Sequence, residues 1–147
     1  MKDKYIVYFI SKVKKKMTTF IEKSLNEKGL YDLVPSYGNI LTALYDNNGK
    51  LSMKEIGQLV GKDKSTITAL VNKLLKLGYV QKEKCLKDRR ITYIILTEKG
   101  KAIEDKVNLI SKQVNLVAYK GFSEEDKDVL LKLLKKMNNN FELEWVN

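Results

Sequence analysis

The chain has no histidine, one cysteine, one proline, and only two arginines among its 28 basic residues. Without histidine, the commonest metal ligand and the commonest general base are both missing. The lone cysteine, Cys85, closes no intrachain disulfide and builds no thiolate cluster, which fits a reducing cytoplasm. No glycine-rich phosphate loop and no nucleophile motif occurs. No apolar run reaches the roughly 20 residues of a membrane helix, and Lys2 and Lys4 precede no apolar secretion-signal core. These gaps set aside catalysis, metal or cofactor use, and membrane insertion. The acidic pair Glu124 and Glu125 reads as the first turn of a helix, where the helix dipole favours it.

Charge is what the chain has in excess. Formal net charge is +10 over 147 residues. Between Lys62 and Arg90 nine cations face only Asp63, Glu83 and Asp88, so +6 of that +10 is concentrated in this one segment. Focused positive charge points to an anionic partner, nucleic acid ahead of a membrane surface. Both arginines, Arg89 and Arg90, stand side by side within it.

The stretch from Leu51 to Gly100 organises the rest. Ser52 followed by Glu55 forms a capping box, so a helix begins there. Ile56, Leu59 and Val60 give that helix a short apolar face, and Gly61 ends it. Asp63 caps a second helix over residues 64–77, which Gly78 stops. Gly57 supplies a small residue where two crossing helices touch, and Ile56, Val60, Ile67 and Leu70 fit an interior. Lys62 departs from the apolar residue common in such turns. The second helix turns Ile67, Leu70, Val71 and Leu74 inward and leaves Lys64, Ser65, Thr66, Thr68, Asn72, Lys73 and Lys76 outside. Hydroxyls and an amide suit base edges, and lysines suit phosphates.

Two strands follow, over residues 79–84 and 91–96, the second β-branched and aromatic. Between them Cys85–Arg90 makes a basic hairpin loop carrying Lys87, Asp88, Arg89 and Arg90. Arginine suits a narrow, negative minor groove. Asp88 is expected to hold an arginine in one orientation through a charge-assisted hydrogen bond. Helix, turn, helix and basic hairpin in this order describe a winged helix-turn-helix. Few aromatics interleave the basic region, which argues against single-strand stacking.

Long amphipathic helices flank this module. Ile6, Phe9, Ile10, Val13, Met17, Phe20, Ile21 and Leu25 recur at helical spacing from Tyr5 to about Lys28, with Lys12, Lys14, Lys15 and Lys16 beside them. Pro35 fixes the start of a helix carrying Tyr37, Ile40, Leu41, Leu44 and Tyr45. After the hairpin, Thr97 caps a helix with Ile103, Val107, Ile110, Val114 and Val117 at steps of four and three, a coiled-coil cadence. Ser123 starts a last helix bearing Leu130, Leu133, Leu134, Met137 and Phe141. These terminal stripes exceed what a small lobe can cover, and a second subunit covers them most simply. The fold class is therefore mainly α with a small β-hairpin wing: a winged helix-turn-helix flanked by N- and C-terminal dimerisation helices. It divides into an N-terminal dimerisation helix (1–35), a DNA-binding lobe (36–100) and C-terminal dimerisation helices (101–147).

Asp88-Arg89-Arg90, a strand, and Leu96-Thr97-Glu98-Lys99-Gly100 together resemble the wing signature of the MarR family of regulators. The upstream run Leu74–Val80 is similar to that family's exit from the recognition helix. The resemblance implies a homodimer on a pseudo-palindromic operator in double-stranded DNA. It places Arg90 as the minor-groove arginine, Asp88 as its steadying partner, and Lys64, Ser65, Thr66 and Thr68 on the front of the recognition helix. It also implies a repressor released when a small aromatic effector binds. Tyr5, Tyr8, Phe9, Tyr37, Tyr45 and Tyr119 are candidates to line such a crevice. The peroxide-sensing branch needs an N-terminal cysteine and the zinc-sensing branch needs histidines, and the chain has neither. A nucleoid-type binder without sequence preference is the alternative that the net charge alone supports.

Overall fold

The structure, a computed structural model, describes residues 3–144. Following a 3-10 turn (Asp3–Tyr5) the elements run α1 (Ile6–Glu27), α2 (Pro35–Tyr45), β1 (Lys50–Ser52), α3 (Met53–Val60) and α4 (Lys64–Leu77). They continue with β2 (Val80–Lys84), β3 (Thr92–Leu96), α5 (Glu98–Ala102), α6 (Glu104–Ala118) and α7 (Glu124–Glu144). The chain forms two compact units, Met1–Val114 and Asn115–Asn147.

In the first unit, the helix starts follow from local chemistry. The Ser52 hydroxyl accepts from the Glu55 amide at 3.1 Å, and the Glu55 carboxylate accepts from the Ser52 amide at 3.0 Å. This reciprocal pair satisfies two amides that the first turn of α3 would leave unbonded. Asp63 caps α4, accepting from the Thr66 amide at 2.7 Å. Between the helices Gly61 sits at φ 71°, a left-handed conformation that a side chain would strain.

Ile40, Leu41 and Leu44 from α2, Ile56 from α3, Ile67, Val71 and Leu74 from α4, and Ile94 from β3 are essentially inaccessible to solvent and form the centre of the core. Val60 and Leu70 pack partly buried against it. Leu59 instead remains 59% exposed, contrary to its expected place on the apolar face. Ile56 and Val60 occupy the inward side of this eight-residue helix, and Leu59 falls on its rim.

The sheet has three strands in the order β1-β3-β2, all antiparallel, with Leu51 and Lys82 both opposite Ile94. The sequence pattern predicts only two. β1 is three residues long, too short for alternation to register, and its last residue doubles as the cap of α3.

The helix expected after Thr97 is interrupted. Thr97 caps the five-residue α5, its hydroxyl accepting from the Gly100 amide at 3.2 Å, and α6 starts afresh at Glu104. The break turns Ile103 into the core, where Val107 and Ile110 follow it. The first three positions of the coiled-coil cadence are thus buried within their own lobe. Val117, the last of the five, is 62% exposed.

Along α1 only Ser24 and Leu25 are buried, whereas Ile6, Phe9, Ile10, Val13 and Met17 lie open. In the second unit Ser123 and Asp126 cap α7 reciprocally at 3.0 Å. Tyr119 and Phe122 meet edge to face at 5.6 Å in the preceding turn. Leu130, Leu133, Leu134 and Phe141 on α7 are all exposed.

Candidate nucleic-acid interface

The outer face of α4 carries Lys64, Ser65, Asn72 and Lys73, all exposed, with Thr66 and Thr68 half-buried beside them. Capping constrains its first turn. Asp63 accepts from the Thr66 amide and from the Ser65 hydroxyl at 3.0 Å, and those bonds, the Thr66 amide foremost, hold its carboxyl below the ordinary range. Thr68 donates to the Lys64 carbonyl at 2.8 Å. Ser65 and Thr68 therefore spend their single hydroxyl protons within the helix. What they turn outward is acceptor lone pairs.

Across from α4 stands the hairpin. Its base is closed by the Cys85 amide donating to the Ile91 carbonyl, and the Ile91 amide to the Asp88 carbonyl, each at 3.0 Å. Asp88 accepts three bonds from Arg90, from the amide, Nε and Nη2, all at 3.0 Å. This fork-on-carboxylate arrangement fixes the guanidinium plane. It lowers the Asp88 pKa, through the Arg90 side chain first and its amide second, and raises that of Arg90. Arg90 keeps 90% of its side chain exposed, so the pair orients a charge and adds little to stability. Lys87 and Arg89 are exposed on the same tip, and Cys85 is half-exposed as a free thiol at its base.

Between α3, α4 and the wing opens a cleft of ≈ 890 Å³. Lys54, Lys62, Lys64 and Arg90 contribute to its lining, together with Gln58, Thr68, Thr92 and Tyr93. Nothing in the sequence pattern singles out Lys54, Gln58, Thr92 or Tyr93 as site residues. Lys54 lies hidden inside a capping box, and Thr92 and Tyr93 inside a strand pattern. Lys62 gains an explanation here: its place in the turn faces the cleft and solvent, so an apolar residue would bury nothing.

Gly57 does not make the close helix contact expected of it. A Cβ there would meet only the Lys62 carbonyl oxygen, at 4.0 Å. The close approach is at Gly100, where a Cβ would overlap the Tyr79 carbonyl oxygen and stand 3.0 Å from Leu96 Cδ2. Around this contact the wing is tied to the end of α4. Thr97 Oγ1 donates to the Gly78 carbonyl at 2.6 Å, and Lys99 Nζ donates to the Leu77 carbonyl at 2.7 Å. The Tyr79 hydroxyl donates to Asp32 at 2.7 Å, tying in the α1–α2 loop as well.

The candidate crevice aromatics have separate surroundings. Tyr5, Tyr8 and Phe9 are exposed on α1, Tyr37 packs against the core, and Tyr119 pairs with Phe122 in the second unit. Tyr45 is committed to structure. Its hydroxyl donates to the Gly100 carbonyl at 2.6 Å, and burial, then Glu104, pushes its pKa up. Among the described residues no group of three or more acidic, cysteine or histidine side chains is placed to hold a metal ion. No described helix is long and apolar enough to cross a membrane.

A helix-turn-helix joined to a braced, cationic wing defines a winged-helix protein of the DNA-binding class. Comparison with known proteins agrees. Residues 31–91 match the MarR family model. The chain is 34% identical over 142 residues to the HTH-type transcriptional regulator SarZ of Staphylococcus haemolyticus, covering 94% of this chain and 88% of that protein. Among solved structures, a MarR protein from Peptoclostridium difficile superposes with a TM-score of 0.80 at 26% identity, covering 99% of this chain and 92% of that one. A mutant MarR from Escherichia coli, solved in complex with operator DNA, has the same fold with a TM-score of 0.76 at 20% identity, covering 90% of this chain and 92% of that one. The chain belongs to the MarR family of DNA-binding transcriptional regulators, whose members are not enzymes.

Proposed function

We propose that the protein works as a homodimer that recognises a pseudo-palindromic operator in double-stranded DNA and represses transcription until a small effector releases it. One observation carries the reading. The polar face of α4 and the Asp88-oriented Arg90 border one cationic cleft. Lys64, Ser65, Thr66, Thr68, Asn72 and Lys73 then face the edges and backbone of the major groove. Lys87, Arg89 and Arg90 address the neighbouring minor groove. The sugar-phosphate strand between the grooves runs along the cleft past Lys54 and Lys62. The outward lone pairs of Ser65 and Thr68 suit the exocyclic amino groups of adenine or cytosine.

The dimer follows from apolar surface. Large hydrophobics on α1 and α7 stand open to water along both helices, more than a monomer ordinarily leaves bare. A second copy related by two-fold symmetry covers them and sets two α4 helices about one DNA turn apart, roughly 10 bp. The exposed aromatics of α1 are the candidates to line an effector crevice in that assembly.

The test is selection of duplexes from a random-sequence pool, followed by titration of the selected site and a scrambled control across a salt series. The expected result is enrichment of a two-fold repeated half-site, bound at least about 10³-fold more tightly than the control. Equal affinity for both would replace this reading with that of a nucleoid-type protein.

A further inference from the structure

Leu86 stands in the wing loop with 87% of its surface exposed, the highest value among the exposed large hydrophobics of the described residues. It adds nothing to the core. Its neighbours Lys84, Lys87, Arg89 and Arg90 are exposed cations. The loop that carries it is braced, closed at its base by the Cys85 and Ile91 amides and held at its far side by the Asp88–Arg90 fork. An isobutyl group is therefore presented on a firm, positively charged hairpin.

A minor groove offers two kinds of surface. Its floor carries the acceptors of adenine N3 and thymine O2, with the guanine amino group as its only donor. Its walls are deoxyribose carbon. Guanidinium and ammonium groups suit the floor but do nothing for the walls. A leucine suits the walls, best where they close together over A·T-rich steps. A guanine amino group beneath the same tip would lose water and meet only carbon and other donors, the costly case of an unpartnered donor. Apolar side chains are used against the minor groove by unrelated DNA-binding folds as well.

We infer that Leu86 is the apolar contact of the wing in the minor groove and sets a preference for A·T over G·C pairs at the outer flanks of the operator. This rests on the duplex-DNA reading proposed above. The arginines supply attraction there, and Leu86 supplies discrimination by shape.

The experiment uses the full chain and the operator recovered by selection, in three versions whose wing-facing flanks carry A·T, G·C or inosine·C pairs. Inosine removes only the guanine 2-amino group. Wild type should bind the G·C version about tenfold more weakly, with inosine restoring the affinity. Leu86→Ala should lose about tenfold on the A·T and inosine versions and little on G·C, so that discrimination collapses. The slope of log Kd against log salt should not change, because no phosphate contact is removed. Leu86→Met should behave as wild type. Wild-type affinity of Leu86→Ala on the A·T version would overturn the inference. So would an equal loss on all three duplexes, or a loss accompanied by a shallower salt slope, either of which means the loop as a whole was disturbed. A wild-type chain that enriches no sequence fails at the earlier selection step, and overturns the operator reading together with this one.

Discussion

Alanine at Gly100 places its Cβ on the Tyr79 carbonyl oxygen, with Tyr79 C at 3.2 Å and Leu96 Cδ2 at 3.0 Å. The obstacle is mostly backbone, and that backbone is held from several sides. The Tyr79 carbonyl accepts from the Thr97 amide at 3.1 Å. Gly100 donates to Thr97 Oγ1, and its carbonyl takes the Tyr45 hydroxyl at 2.6 Å. Relief of the overlap must lengthen at least one of these bonds. Overpacking costs about 1–3 kcal/mol, and a weakened, half-buried hydrogen bond adds about 1 kcal/mol. The sum is about 3 kcal/mol, or about 10 °C in Tm for a chain of this size. Gly57→Ala is the matched control. Its Cβ meets only the Lys62 carbonyl at 4.0 Å, inside a regular helix. It should stabilise by about 0.5–1 kcal/mol through helix propensity. Both variants are to be melted by circular dichroism at one fixed concentration, since association makes Tm concentration-dependent. A Gly100→Ala Tm within about 2 °C of wild type, or Gly57→Ala as the worse of the two, would refute the reasoning.

Arg90→Lys should lose nearly as much specific operator affinity as Arg90→Ala, about 1–3 kcal/mol, because an ammonium cannot reproduce the fork on Asp88; fluorescence anisotropy on the selected operator reads this, and a fully active lysine variant counts against the fixed guanidinium. Operator affinity should be flat from about pH 5 to 7, since the chain has no histidine and Asp63 and Asp88 are both held below the ordinary carboxylate range. The sign follows from that depression: the Asp88–Arg90 pair is intact above the ordinary range and is lost only as pH falls through the lowered value, so an affinity change centred near about pH 6 would contradict the geometry. Leu134→Glu, on the bare stripe of α7, should shift the protein from dimer to monomer in sedimentation velocity and weaken operator binding steeply. A dimer of unchanged affinity would remove α7 from the interface.

Chemistry completed within four residues was legible in the chain. Ser52 with Glu55, Asp63 before α4, and Ser123 before α7 each supply acceptors for amides three positions ahead, and each helix starts where its cap stands. The inward residues of α2 and α4 repeat at helical spacing for several turns, so their burial could be read as well. Features that depend on distant partners could not be read. β1 exists because Leu51 meets Ile94, far along the chain. Ile103 breaks a helix to reach a core whose shape no local pattern specifies. Gly57 and Gly100 look alike as letters, and only the fold shows which one has a carbonyl against it. Lys54 and Tyr93 come together across the cleft through β1–β3 pairing and the short step from β1 into α3. Their proximity is a consequence of topology.

That topology also bears on the proposed reading in which α4 and the wing tip enter neighbouring DNA grooves at once. α4 and the wing tip are joined through a single β-strand, and a hinge between them would let each find its groove independently at an entropic cost. The structure has a knot of contacts at that point instead. Gly78 and Leu77, which end α4, accept from Thr97 and Lys99 of the α5 start. Tyr79 is 3% exposed and packs its carbonyl against Gly100. Its hydroxyl reaches Asp32 in the loop rooting α1, and Lys99 lies over its ring at 4.4 Å. The end of α4, the start of α5 behind the wing and the loop after α1 are therefore tied together by one set of contacts. Under the proposed dimeric reading, such bracing would set the helix-to-wing distance before DNA arrives and leave the spacing between two lobes as the adjustable quantity. In the proposed effector-released dimer, a rotation at the base of α1 would carry α4 and the wing together through these contacts.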